Sequence, residues 1–149
     1  MNKPLFFLAV ALISFQITAG ASTDPASETG EIKKVIEKAY IDGLQNWGDT
    51  DVIRQYVVPE FVMLRLAGNE IQKLPIETWI SNIEKQKAAY PGGPPYPATA
   101  KYLDIDVVGT AAMVKFELHR QGQRQFTDYV ALYKFEDGWK IVGKTFYRH

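Results

Sequence analysis

From Glu28 onward the spacing of apolar residues predicts a helix. Ile32, Val35, Ile36, Ala39, Tyr40, Gly43, Leu44 and Trp47 recur at i, i+3, i+4 and i+7, which lays them along one face of a long amphipathic helix. Gly48 is the expected stop. Asp49 is placed to cap a second, short helix to Tyr56, with Val52, Ile53 and Tyr56 inward and Pro59 just beyond its end. "FVMLRLAGNEIQKL" then alternates about Gly68-Asn69, the pattern of a hairpin. Pro75 opens a third helix whose buried face is Ile76, Trp79, Ile80 and Ile83. Residues 90–97, "YPGGPPYP", hold too much proline and glycine for helix or central strand, so they form a stiff loop, either a connector or a lid over a pocket.

From Ala100 the period is two. "KYLDIDVVG", "AAMVKFELHRQG", "QRQFTDYVALYKF" and "GWKIVGKTFYRH" are four strands joined by turns at Gly109-Thr110, Gln121-Gly122 and Asp137-Gly138. A last turn centred on Asp137 pairs 128 with 146 and 130 with 144. The preceding turn sets Lys115 opposite Asp128 and His119 opposite Arg124. Strict alternation then yields two faces. Val114, Phe116, Leu118, Tyr129, Ala131, Tyr133, Trp139 and Ile141 form a nearly apolar face that should meet the helices. Met113, Lys115, Glu117, His119, Phe126, Asp128, Val130, Leu132, Lys144 and Phe146 form the other, in which aliphatics mix with charges of both signs.

The first 21 residues stand apart. Lys3, the apolar run from Leu5 to about Ile17, and Ala19-Gly20-Ala21 follow the order of an export signal: basic, apolar, small-x-small. The run is too short to span a bilayer comfortably, since a spanning helix needs about 20 residues. The expected divisions are 1–21, a cleaved signal; 22–29, a polar disordered leader; and 30–149, one domain in a periplasmic or secreted protein. Cleavage after Ala21 leaves 128 of the 149 residues, with 16 basic side chains once Lys3 is gone and 17 acidic ones. That balance, without a basic run, argues against nucleic acid or an anionic membrane as partner. The chain has no cysteine, which removes disulfides, thiol catalysis and thiolate metal sites together. His119 and His149 lie far apart in sequence, no phosphate loop or nucleophile elbow is present, and neither a metal nor a cofactor is expected.

Helix, short helix, hairpin, helix and a four-stranded meander is the order of the nuclear transport factor 2-like superfamily, which the chain resembles across about 30 to 149. "YIDGLQNWGDTDVIRQYVVPEFVML" is similar to the first two helices of that family running into its first strand. "FTDYVALYKFEDGWKIVGKTFY" resembles the closing hairpin of the subgroup described as putative lumazine-binding proteins. The resemblance implies an α+β fold: a cone-shaped, curved antiparallel sheet wrapped around three N-terminal helices, the nuclear transport factor 2-like or cystatin-like roll, with a pocket and often a homodimer. It does not imply one function, because this fold hosts isomerases, dehydratases, cyclases and binding modules. No residue argues independently for a pteridine.

Within that frame the pocket is expected from Tyr40, Trp47, Phe61, Met63, Trp79, Tyr129, Tyr133 and Trp139, with Arg65 as the anchor for a carboxylate or carbonyl. The charges Lys115, Asp128 and Lys144 are expected as scaffold at a homodimer face, beside Met113, Val130, Leu132 and Phe146. Proton-transfer chemistry would need a carboxylate or histidine inside the pocket, and strict alternation puts none there. The expectation is therefore an exported small-molecule-binding domain of the lumazine-binding type. An isomerase-like or dehydratase-like enzyme, or a dimerisation module with a filled core, stands as the alternative.

Overall fold

The computed structural model describes residues 25–149. The expected signal, 1–21, lies outside the described residues, and among those described no helix is long and apolar enough to cross a membrane. Helix α1 (Pro25–Val35) starts inside the stretch expected to be a disordered leader. Its Glu28 is buried, and the carboxylate accepts the Trp139 indole N–H at 2.5 Å and pairs with the Lys134 ammonium. A carboxylate satisfied in this way draws the first turn of the helix onto the sheet.

The helix runs on as a π-wound segment (Ile36–Gln45), its turns closed by bonds reaching five residues back, such as Asn46 N–H to the Ile41 carbonyl at 2.9 Å. Apolar side chains at the expected positions still cover the core: Ile36, Ala39, Tyr40 and Leu44 are all buried, and Ile41, outside the expected stripe, is buried with them. The stop differs from the expectation. Trp47, not Gly48, takes the left-handed conformation, with φ 57°. Gly48 is required for closeness instead, because a Cβ there would sit 2.6 Å from the Asp42 carbonyl oxygen. Asp49 caps α2 (Thr50–Tyr56) as expected, its Oδ1 accepting the Asp51 N–H at 2.9 Å.

Strands β1 (Val57–Ala67) and β2 (Glu70–Pro75) form the hairpin, and α3 (Ile76–Ala89) buries Ile76, Ile80 and Ile83. Strands β3 (Ala98–Val108), β4 (Ala111–Arg120), β5 (Gln123–Phe135) and β6 (Gly138–Arg148) complete a sheet ordered β2-β1-β6-β5-β4-β3. Neighbours are antiparallel except β1 and β6, so the sheet is mixed rather than wholly antiparallel.

Three bulges curve this sheet and change its phase. Leu103 is extra on β3, Gln125 on β5 and Val142 on β6, each lying where two residues face one on the neighbour. The pairs 128–146 and 130–144 form, but not through a turn centred on Asp137. The turn is Glu136-Asp137, pairing Phe135 with Gly138, and the Val142 bulge shifts the register by one to reach them. Gln125, however, slips β5 by one against β4, so Asp128 lies opposite Phe116 and Lys115 opposite Tyr129. A slip of one exchanges faces. The helix-covered face therefore holds Val114, Phe116, Leu118, Asp128, Val130, Leu132, Trp139, Ile141 and Lys144, all buried, while Tyr129 and Tyr133 stand on the open side. The expected faces are thus corrected for β5 beyond Gln125 and for β6 beyond Val142, while the expected His119–Arg124 pair forms. Unbroken alternation cannot survive an inserted residue.

Two glycines, one on the first helix and one just past its end, test this packing in opposite directions. Gly30 is exposed in α1 with nothing within 4 Å of a built Cβ, so Gly30→Ala should stabilise by about 0.5–1 kcal/mol. Gly48→Ala drives a methyl into backbone that cannot yield and should cost about 1–3 kcal/mol. Thermal melting of the two variants checks both signs.

Candidate functional site

The π-wound turn carries Tyr40 across the concave face to the middle of β5 and β6. Its hydroxyl donates to Asp128 Oδ2 at 2.7 Å and accepts from Gln45 Nε2 at 3.1 Å and from the Lys144 ammonium. One donor and two acceptor positions are all a phenol has, so Tyr40 is saturated. Lys144 Nζ also lies 2.9 Å from Asp128 Oδ1, a buried ion pair in which Oδ1 has no other partner. Asp128 and Tyr40 are wholly shielded, and the Lys144 side chain is 4% exposed.

Burial dominates the electrostatics of this triad. It pushes the Tyr40 phenol well above its ordinary pKa, and the Asp128 charge and hydrogen bond push the same way. Burial also pulls the Lys144 ammonium down, with Asp128 opposing. Aromatic rings pack around the triad. Tyr40 meets Trp79 edge-on at 6.1 Å and Phe116 at 5.5 Å, and Phe61 lies 6.4 Å from Trp79. The Lys144 ammonium lies 4.7 Å from the Phe146 ring centre and 4.8 Å from that of Tyr40.

A second layer ties the triad to the loop at 90–97. Arg120 donates to the Gln45 carbonyl and to Gln45 Oε1, both at 3.1 Å, and to the Tyr96 carbonyl. A continuous path thus runs from Tyr96 through Arg120, Gln45 and Tyr40 to Asp128. Beside it, Asn46 brackets the start of β3, accepting the Ala98 N–H at 2.6 Å and donating to its carbonyl at 3.0 Å. Gln45 and Arg120 were not singled out from the sequence. Gln45, five residues after Tyr40, lies off the α-helical stripe, and only the π winding returns it to the Tyr40 side.

Of the residues expected to line a pocket, the structure brings Tyr40, Phe61 and Trp79 together, with Met63 partly buried against the same core. Trp47 lies apart from them, against Tyr90 at 6.4 Å. Trp139 is committed to Glu28. Arg65 does share a face with Met63, beside a depression of about 190 Å³ with Gln72, Lys73 and Leu74, but it is exposed and donates to Gln72. Of the residues expected at a dimer face, Met113 is exposed there. Asp128, Val130, Leu132 and Lys144 lie under the helices, and Phe146 packs edge-on to Phe126 at 5.4 Å. The expected ion cluster of Lys115 with Asp128 and Lys144 is accordingly split between two faces, and Lys115 stands 5.4 Å from the Tyr129 ring centre instead.

The open face has its own ion cluster. Glu117 accepts from Arg124 Nη1 at 3.0 Å, lies 3.0 Å from His119 Nε2 and is 3.6 Å from Lys101. The hydrogen bonds from His119 and Arg124, with the Lys101 charge behind them, lower its carboxyl from 4.5 to about 2. Among the described residues, no group of three or more histidine, aspartate or glutamate side chains is placed to hold a metal ion.

Comparison with known proteins agrees with this architecture. The model of the family described as "putative lumazine-binding" matches residues 27–147. A nuclear transport factor 2-like protein of unknown function from Shewanella baltica OS155 is 25% identical, with a TM-score of 0.66 over 85% of this chain and 98% of that one. Another, from Silicibacter pomeroyi DSS-3, is 16% identical, with a TM-score of 0.67 over 85% and 100%. A protein from Shewanella frigidimarina NCIMB 400, described as a putative ketosteroid isomerase, is 21% identical, with a TM-score of 0.55 over 76% and 92%. No match is found among the curated proteins. The fold is that of the nuclear transport factor 2-like proteins. Within that class the chain belongs to the putative lumazine-binding family.

The Glu117 cluster predicts a pH dependence. Its folded pKa is below its unfolded one, so the stabilisation is complete above about 4.5 and is lost as pH falls from there toward 2. Glu117→Gln should therefore melt lower than wild type at neutral pH, and the gap should close across that acid window. Melting curves of both proteins from pH 7 to pH 2 check it.

Proposed function

We propose that this chain is an exported small-molecule-binding domain whose ligand contacts Asp128 and Lys144 on the concave face, beneath Trp79. One observation carries the reading: Asp128 Oδ1 is fully buried with no partner but the Lys144 ammonium 2.9 Å away. A carboxylate oxygen can accept from more than one donor, and one buried with a single ionic partner calls for an explanation. Such an acceptor beside a strong donor complements a planar lactam or imide edge, in which N–H adjoins C=O. Aromatic walls from Tyr40, Phe61, Phe116 and Trp79 suit a flat ring. Lumazine, named in the family's description, is a ring dione of that kind. The triad is shielded from solvent in this conformation, so Trp79, half-buried on α3, is the side chain that must swing to admit a ligand. Export rests on the basic, apolar, small order of residues 1–21, and an exported form with intact mass starting at Ser22 would support it.

A second reading rests on the 2.7 Å bond between Tyr40 and Asp128. A carboxylate held to a phenol away from water is also an arrangement for proton transfer. It supplies inside the cone the acid group that strict alternation had denied.

Titration with lumazine, read by tryptophan fluorescence, tests the proposal. Wild type should bind saturably, and lumazine methylated at its imide nitrogen should bind at least roughly tenfold more weakly, because the buried acceptor then meets no donor. Asp128→Asn should weaken lumazine by a similar factor, while Thr145→Ala, on an exposed position, should leave it unchanged. Equal binding of the methylated ring, or no saturation by either, contradicts the reading. Recovery of chemically altered lumazine after long incubation would move the conclusion to the enzyme.

A further inference from the structure

We propose a second ligand site, on the opposite side of the sheet, for a small amphipathic carboxylate. It lies where β1 parts from β6. The two strands pair at Val57 with Ile141 and again at Val62 with Gly143, so four residues of β1 span what Val142 alone spans on β6. The surplus of β1, including Pro59 with no N–H to offer the ladder, bows away from the seam. It leaves a cleft of about 410 Å³, within the range of small-molecule sites.

The lining of the cleft is chemically divided. Val57, Val58, Pro59, Phe135 and Val142 make an apolar floor, and Arg54, Lys140 and Glu60 stand among them. Phe135 is 46% exposed, a large ring left in water at the rim, and the Lys140 ammonium lies 5.8 Å from its centre. The lining itself holds two cations and one acid, so a negative head group must compete for Arg54 and Lys140 with the acids that already pair them. Arg54 is held by Glu77 at 3.1 Å and by Asp51 at 3.7 Å, and Lys140 by Asp137 at 2.8 Å. These carboxylates are all exposed, and pairs of this kind are worth only about 0–1 kcal/mol. A ligand carboxylate that also covers Phe135 and Val142 with its chain can take their place, combining a charge-assisted contact with burial of the apolar body. Glu60 makes no ion pair among the described residues, and its charge opposes the same head group. This site is independent of the concave face, and either can fail without the other.

Octanoate is the probe, added to isotope-labelled protein and followed by backbone amide shifts, with octyltrimethylammonium as the chain-matched cation. Octanoate should give saturable shifts at Phe135, Lys140 and Val142, and the cation should not. Arg54→Gln with Lys140→Gln should weaken octanoate by roughly tenfold, the loss expected for charge-assisted contacts of about 1.4 kcal/mol. Glu60→Gln should tighten it several-fold at low salt. All three positions are at the surface, and Glu60→Gln carries the sign of the argument if the double variant folds poorly. Binding of octanoate and the cation alike, no saturation, or a Glu60→Gln variant that binds no tighter would overturn the assignment. Lumazine titration of the same variants should be unchanged, which keeps the two sites distinguishable.

Discussion

A carboxylate at zero exposure in the middle of a sheet is the constraint that organises the concave face. Asp128 cannot remain ionised there without compensation, since moving a charge out of water costs several kcal/mol even after relaxation. Compensation comes from two directions. Lys144 approaches from the paired strand, Tyr40 from the helix above, and Gln45 and Arg120 hold Tyr40 in place. The π winding of Ile36–Gln45 belongs to the same arrangement. Tyr40 stands within the widened segment, and such segments are frequent where a helix serves a site. Gly43 and Gly48 let the turn close against Ile53 and the Asp42 carbonyl.

Much of the fold was legible from local chemistry. The apolar stripe from Ile32 to Leu44, the Asp49 cap, the Gly68-Asn69 hairpin and the four late strands follow from spacing and turn residues, whereas the β5–β6 register far from the turn depends on the Val142 bulge as well as on the turn. What spacing could not show was where the spacing breaks. Gln125 and Val142 carry no mark in sequence that distinguishes a bulge from a paired residue, yet each turns the following residues to the other face. The consequence for the site was large. Tyr129 and Tyr133 left the interior, and Asp128, Val130, Leu132 and Lys144 entered it. The start of the first helix was missed for a related reason. Glu28 is polar by composition, but Trp139 and Lys134, far away in sequence, give it a buried place.

The charges divide the molecule into two kinds of surface. Inside the cone they are few, shielded and mutually bonded, so any change in one is felt by the others through low-dielectric surroundings. Outside, Glu117 with His119, Arg124 and Lys101, and Arg54 with Glu77, are pairs that water and salt can loosen. The interior holds the buried Asp128–Lys144 pair. The outer cleft follows from a different cause, the mismatch in length between β1 and β6.

The claim that Asp128 and Lys144 act as one unit is tested most directly by a double-mutant cycle on stability. Asp128→Asn and Lys144→Met are measured singly and together by denaturant unfolding. Each single change strands its partner and should cost about 3–5 kcal/mol. The double variant should cost less than the two singles summed, by 1 kcal/mol or more on the order expected for contacting groups. Losses that simply add, within about 0.5 kcal/mol, would show that the two charges do not depend on one another and would contradict the account.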